Sequence, residues 1–227
     1  MADAPAHGAA HGAADQDALR SDARALGVDL DADQAGRLAT FAGLLEHWNR
    51  SFNLVSRQDV GRLHARHLLD SLSAVPWLAG TSIMDLGTGA GLPGLPLAIA
   101  QPQRSFTLVD RSSRKIRFVG NACRSLRLDN VTPVAGDVRS LPADSRFDTI
   151  VARAVADMAA VWALGRARLR PGGRLVMWWR GQSGEARPED PPDDLPGLAQ
   201  VTIHEIVIPG LRRPHRLAVL EAEGGGA

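Results

Sequence analysis

Apolar residues recur at helical spacing over the first third of the chain. Asp15–Leu26 and Asp33–Phe52 read as helices, and in the second Leu38, Phe41, Leu44, Leu45 and Trp48 fall on one stripe. Val60–Leu78 predicts a third helix with Leu63, Leu68, Leu72 and Val75 turned inward. From Thr81 the pattern changes to short apolar runs separated by helical stretches. The runs predict strands at Ser82–Leu86, Ser105–Asp110, Val131–Gly136, Phe147–Ala152, Arg174–Trp179, Val201–Ile208 and Arg216–Glu221. Between the first five lie helices Leu92–Ala100, Arg114–Leu126 and Asp157–Leu169, and a turn near Val138–Leu141. Strands alternating with helices build a parallel, doubly wound sheet. Pro209–Pro214 is too short for a crossover, so the last two strands pair antiparallel as a hairpin. Leu169–Val176 reads as a helix stop and strand start around Gly172-Gly173, and Ser183–Pro196 as a loop. The expected organisation is a disordered tail over 1–16, a helical extension over 17–80 and an α/β domain over 81–223.

With 227 residues, 44% of them hydrophobic, the chain can bury one α/β core and a short extension. A net charge of +1 argues against a histone-like binder of nucleic acid but leaves room for one basic face. A single cysteine, Cys123, excludes an intrachain disulfide and a four-cysteine zinc site. His7 and His11 share a helical spacing, but in a tail nothing holds them rigid, and no metal site is expected. The absence of a long apolar run and of a basic-then-apolar start predicts a cytoplasmic protein with no membrane partner.

The strongest chemical signal is Asp85-Leu-Gly87-Thr-Gly89-Ala-Gly91, directly after the first strand. Glycines there let the backbone turn sharply and approach a ligand. A dinucleotide fingerprint needs its third glycine at position 92, which is Leu92. The spacing Gly-x-Gly-x-Gly with an acid two residues ahead suits a nucleoside carrying an amino-acid tail, whose ammonium wants a carboxylate. A tight turn alone would explain one glycine rather than three. Asp110 closes the second strand, where a carboxylate can accept both ribose hydroxyls, or else cap the helix near Ser112. After the third strand, Asp137 could receive an adenine amino group, or the backbone at Val138 and Arg139 could hold the base. This set predicts S-adenosylmethionine in a Rossmann-like, class I methyltransferase fold: a seven-stranded, mostly parallel sheet ending in an antiparallel hairpin.

The segments Phe52-Asn53-Leu54, His67-Leu-Leu-Asp70-Ser71-Leu, Asp85-to-Gly91 running on through Leu92-Pro93-Gly94-Leu-Pro96-Leu97-Ala98, Phe106-to-Asp110, Lys115-Ile-Arg117-Phe118 and Ala152-Arg153-Ala154 resemble the glucose-inhibited division protein B family over about residues 40 to 181. The resemblance implies methylation of guanine N7 in 16S ribosomal RNA, at the 530 loop, with the RNA or the small ribosomal subunit as partner; a monomer is the expected state. It also implies cofactor contacts at Gly87, Leu92, Val138, Arg139 and Arg153. Three positions depart from the family pattern: Arg114-Lys115 follows Ser113 in place of Gly-Lys-Arg, Arg139 replaces an acid, and Arg180-Gly181 replaces Lys-Gly.

Guanine N7 has a lone pair and no proton to lose, so its alkylation needs no general base. An exocyclic-amine methyltransferase carries an Asn/Asp-Pro-Pro-aromatic box after the fourth strand. Here Arg153-Ala154-Val155 stands there, and Pro191-Pro192 lies in the later loop. A carbon-5 enzyme needs a nucleophilic cysteine, whereas Cys123 falls mid-helix. Arg153 either pairs with Asp148 or Asp157, or orients cofactor or target base at the exit of the fourth strand. His67 and Asp70 read equally as a local hydrogen-bonded pair or as part of a lid. Arg57, Arg62, Arg66, Arg114, Lys115, Arg117, Arg212, Arg213 and Arg216 are candidates for phosphate contacts, and each is also a candidate for ordinary surface charge. A small-molecule methyltransferase stays open as an alternative, and Leu92 disfavours a nicotinamide oxidoreductase.

Overall fold

A computed structural model describes residues 13–52, 54, 64–153, 157–179 and 195–224. Two helices open the chain, α1 (Ala13–Ala25) and α2 (Ala32–Phe52). The first starts at Ala13, inside the segment expected as a tail. The second begins on a reciprocal cap: Gln34 N–H donates to Asp31 Oδ1 at 2.7 Å, and Gln34 Oε1 accepts from Asp31 N–H at 2.9 Å. Its stripe is as patterned, with Leu38, Phe41 and Leu45 buried and Leu44 and Trp48 packed against the same cluster.

The third predicted helix is corrected. Where Val60–Leu78 was expected to be one α-helix, His64–Leu69 is a π-helical segment, α3 (Asp70–Leu72) follows, and a 3-10 turn spans Val75–Trp77. A π turn carries one more residue per hydrogen-bonded ring than an α turn, and apolar spacing over so few turns does not separate the two. Leu68 and Leu72 are buried as expected; Leu63 lies outside the described residues.

Then come β1 (Ser82–Leu86), α4 (Gly94–Ala100), β2 (Ser105–Asp110), α5 (Ser113–Leu126), β3 (Val131–Ala135), a 3-10 turn (Val138–Ser140), β4 (Phe147–Ala152), α6 (Met158–Gly165), a 3-10 turn (Arg166–Arg168), β5 (Leu169–Trp178), β6 (Leu198–Ile206) and β7 (His215–Ala222). The strands form one sheet in the order β3-β2-β1-β4-β5-β7-β6. β1 to β5 are parallel, and β7 runs antiparallel between β5 and β6. This is the Rossmann-like arrangement the alternation and the terminal hairpin predicted. α5 begins on Ser112, whose hydroxyl accepts from Lys115 N–H, and ends on Arg127 in the left-handed region at φ 52°.

β5 starts five residues earlier than expected. Gly172-Gly173 lies within the strand, where the register against β4 jumps between Phe147/Leu169 and Thr149/Arg174. The glycine pair belongs to this bulge: Gly172 has φ +71°, and a Cβ on Gly173 would sit 3.0 Å from the Asp148 carbonyl.

Alternation along the strands sends two apolar sets to opposite faces. Ile83, Phe106, Leu108, Val151 and Val176 share one cluster with α4, α5 and the helical extension. Met84, Leu86, Val109, Ile150 and Leu175 pack with α6 on the other face. The extension therefore completes a layer of the α/β sandwich. Among the described residues no helix is long and apolar enough to cross a membrane.

Candidate active site

The parallel strands end at one edge of the sheet, and β1, β2 and β4 deliver Asp85, Asp110 and Arg153 there. The turn after β1 contains three left-handed glycines, Gly87 (φ +73°), Gly89 (+58°) and Gly91 (+82°). It is pinned from below, as Gly87 N–H and Thr88 N–H both donate to the Val109 carbonyl at 2.9 and 3.0 Å. The glycines serve different ends. A Cβ on Gly91 would run into the Leu95 side chain, and one on Gly94 would sit 2.6 Å from Asp85 Oδ2. A Cβ on Gly89 would meet nothing closer than Lys115 Nζ at 3.9 Å. Gly91 and Gly94 are small to let the turn pack, whereas the space beside Gly89 is open.

Asp85 lies under this turn, fully buried. Its Oδ2 accepts from Thr88 Oγ1 at 2.6 Å and from Gly94 N–H at 2.8 Å. Its Oδ1 is shut off from solvent with no hydrogen-bond donor in reach. Burial pushes its carboxyl up to about 6, against the pull of Thr88, Gly94 and the positive charge of Arg153. The acid ahead of the glycines thus ties the turn to α4 and keeps one acceptor unsatisfied.

Asp110 is engaged at the start of α5, as its capping reading expects. Its Oδ2 accepts from Gly89 N–H at 2.9 Å and its Oδ1 from Ser112 N–H at 2.8 Å, so it fastens the glycine turn to the start of α5. Each oxygen takes one backbone donor and a carboxylate offers about four acceptor sites, so capacity remains for hydroxyls. Asp137 is more committed. It caps the following 3-10 turn through Arg139 N–H at 2.9 Å, and it receives the side chains of Arg139 (2.8 Å) and Arg111 (2.5 Å). The hydrogen bonds from Arg139, and then Arg111, hold its carboxyl far below the usual range. Arg139's backbone donor is spent on Asp137, and the Val138 side chain is buried in the α6-side cluster. Leu92 is also buried.

Arg153 is mostly buried, and its partner is neither Asp148 nor Asp157. Asp148 binds Thr81 N–H, Ser82 N–H and Arg170 at the opposite end of β4, and Asp157 caps α6 through Ala160 N–H. Arg153 instead donates from Nη1 to Asp70 Oδ2 at 3.0 Å, with Nη2 3.5 Å from His67 Nδ1. Asp70 Oδ1 accepts from Trp178 Nε1 at 2.9 Å and from His215 Nδ1 at 2.6 Å. Burial raises the Asp70 carboxyl, but the His215 hydrogen bond and the Arg153 charge outweigh it, and the net effect is downward. Sequence reasoning missed Trp178 and His215 altogether. The available signal was an acid between Leu69 and Leu72 on an apolar stripe, since a buried carboxylate demands donors.

The candidate phosphate-binding cations fall into separate groups. Arg114, Arg117, Arg212 and Arg213 are exposed. Lys115 is half-buried, with its ammonium turned to the glycine turn. Arg216 pairs with Glu205 across β6 and β7 at 3.5 Å. Arg57 and Arg62 lie outside the described residues, as does the Arg66 side chain. Cys123 is buried in α5, and burial pushes its thiol up to about 11, which removes it as a nucleophile at neutral pH. A cleft of about 460 Å³ lies at the far end of the sheet, lined in part by Gln34, Arg37 and Asn130. Those side chains cap carbonyls at the ends of α4 and α5, so it is a seam between helices.

The fold is similar to the O-methyltransferase TomG of Streptomyces achromogenes (TM-score 0.56, 16% identity, 92% of this chain and 99% of that one). It is similar too to TYW2 of M. jannaschii (TM-score 0.55, 12% identity, 75% and 78%). In sequence the chain is 42% identical over 199 residues to the ribosomal RNA small subunit methyltransferase G of Methylococcus capsulatus, covering 88% of this chain and 95% of that protein. It is 36% identical to the protein of the same name from Cronobacter sakazakii, covering 86% and 93%. The family profile described as rRNA small subunit methyltransferase G matches residues 34–194, and the chain belongs to that family.

Proposed function

We propose that this protein transfers a methyl group from S-adenosylmethionine to N7 of a guanine in the 16S RNA of the small ribosomal subunit. The observation that carries the cofactor half is the open space beside Gly89, flanked by Asp110 and Lys115 and underlain by the unsatisfied Asp85 Oδ1. A nucleoside with an amino-acid tail matches it: hydroxyls for Asp110, an ammonium for the field of Asp85, a carboxylate for Lys115. The base would lie toward Val138, where Asp137 holds the turn and the backbone rather than a side chain is left to meet it. When bound, the cofactor supplies a methyl group on a sulfonium centre, a strong electrophile.

The residues of this chain then have little acid–base work to do. N7 attacks through its lone pair and releases no proton. What remains is proximity and orientation, effects that reach roughly 7–11 kcal/mol in well-aligned systems. Arg153 would orient cofactor or base; its position one residue past β4 and its restraint by Asp70 support this. Exposed Arg114 and Arg117 at the start of α5, and Arg212 and Arg213 between β6 and β7, are set to hold RNA phosphates. The enzyme would act in the cytoplasm as a monomer, which sedimentation of the purified protein tests.

The deciding experiment supplies purified, unmethylated small subunits with the protein and labelled S-adenosylmethionine. Mass spectrometry of the RNA should find one new N7-methylguanine. Methyl transfer to another atom, or none, would overturn the reading.

A further inference from the structure

A buried carboxylate joins the helical extension to the strand ends beside the glycine turn, the cradle of the proposed cofactor site. Asp70, 4% exposed, takes donors from three neighbouring strands: Arg153 just past β4, Trp178 at the end of β5 and His215 at the start of β7. β7 runs antiparallel to β5, so its first residue lies at the same edge as the last residues of β4 and β5. Because a carboxylate only accepts, His215 must present Nδ1–H to it.

Trp178 and His215 would suffice to fasten α3 to the sheet. Arg153 is the partner that points to more. It stands at the exit of the strand next to β1, and its charge is felt by Asp85 beneath the glycine turn. An arginine has a long, flexible stem, and one hydrogen bond to a rigid anion greatly narrows where its planar head can lie. Asp70 is such an anion, because its other oxygen is held by two donors from the sheet.

We propose that Asp70 is a positioning residue for Arg153, with His215 steadying the carboxylate from its other side. Asp70 holds the guanidinium at the rim of the cradle, ready for the cofactor or the target base, and touches neither. His215 directly follows the turn that bears Arg212 and Arg213, so that turn and Arg153 share one anchor. This inference rests on the cofactor reading above.

The test compares Asp70→Asn, His215→Ala and His215→Asn with the wild type, well below their melting temperatures. S-adenosylmethionine affinity is read by calorimetry, and kcat on small subunits at saturating substrates. Asp70→Asn should lose at least tenfold in affinity or in kcat. His215→Ala should lose several-fold, although His215 meets no ligand. His215→Asn returns an N–H donor near the Nδ1 position and should recover most of that loss. The double variant Asp70→Asn/His215→Ala should be no worse than Asp70→Asn, since both act through one chain of interactions. Lower melting with wild-type affinity and kcat would show a fastening and nothing more, and would overturn the proposal. Should Asp70→Asn fail to fold, the His215 pair decides alone. A wild type that binds cofactor but leaves the RNA unmethylated would sink the RNA substrate, while the affinity comparison would still test Asp70.

Discussion

Asp85 and Gly89 each put the proposed cofactor site to a test at the scale of one residue. Burial lifts the Asp85 carboxyl from 3.8 to about 6, so in the fold it holds its proton more tightly than in the unfolded chain. Below about pH 4 both states are protonated and the residue is neutral for stability. As pH rises from 4 through 6 the unfolded chain ionises first, so this burial costs the free protein up to about 3 kcal/mol. A cationic ligand group beside Asp85 reverses that preference. S-adenosylmethionine affinity should therefore rise with pH through about 6 and level off above 7, as calorimetry across pH 5–8 would show. In Asp85→Asn the affinity should be weak and flat over that range, and a flat profile in the wild type would remove Asp85 from ammonium recognition. Gly89 makes a steric prediction. Its φ of +58° disfavours a side chain by roughly 1–2 kcal/mol, and a valine would project into the open space beside it. Gly89→Val should fold, with a circular dichroism spectrum like the wild type, and bind no detectable S-adenosylmethionine.

At the scale of elements, the first two turns of α5 divide their cations by direction. Arg114 and Arg117 are exposed, while Lys115 between them leans back toward Gly89. Arg114→Ala/Arg117→Ala should weaken RNA binding at all sequences and leave cofactor affinity unchanged. Its salt slope should fall by roughly 0.7–0.9 log units for each phosphate the variant no longer neutralises. Lys115→Ala should instead weaken cofactor affinity several-fold, and equal effects from both variants would show that the division is false. Sequence spacing puts the three in one basic cluster, because adjacency along a chain says nothing about which side of a helix each residue faces. The five parallel strands were legible, since short apolar runs between turn signals leave few other readings. The start of β5 was not, because a Gly-Gly pair reads as a break when a bulge absorbs it in mid-strand. The π-helical segment before Asp70 escaped for a related reason: its apolar positions suit an α-helix as well, and its ring size is set by what the segment packs against. That Asp110 adjoins the glycine turn was readable from the strand ends, whereas the donors to Asp70 come from three strands and become neighbours through the fold.

For the whole molecule, the extension and the sheet are one structural body. Leu38, Phe41, Leu45, Leu69 and Leu72 are buried in the same apolar cluster as Phe106, Val151 and Val176. Each such side chain is worth about 1.5–3 kcal/mol when removed from water, so the layer cannot detach without exposing a face of the sheet. Asp70 adds a polar lock to that apolar one. Its carboxyl sits below its ordinary value in the fold, so it stabilises the protein above about pH 4 and loses that effect as the pH falls through its lowered folded value. Removing it at neutral pH strands the mostly buried Arg153 without its anion and leaves Trp178 and His215 donating to nothing. Breaking a buried pair from one side costs about 3–5 kcal/mol. In a chain of this size each kcal/mol moves the melting temperature by roughly 2–4 °C, so Asp70→Ala should melt about 6–20 °C lower. If extension and sheet are one body, that loss should come as a single shifted transition by both far-ultraviolet circular dichroism and tryptophan fluorescence. Two separated transitions would show that the helical layer unfolds on its own, with Asp70 holding together two units that each keep a separate core.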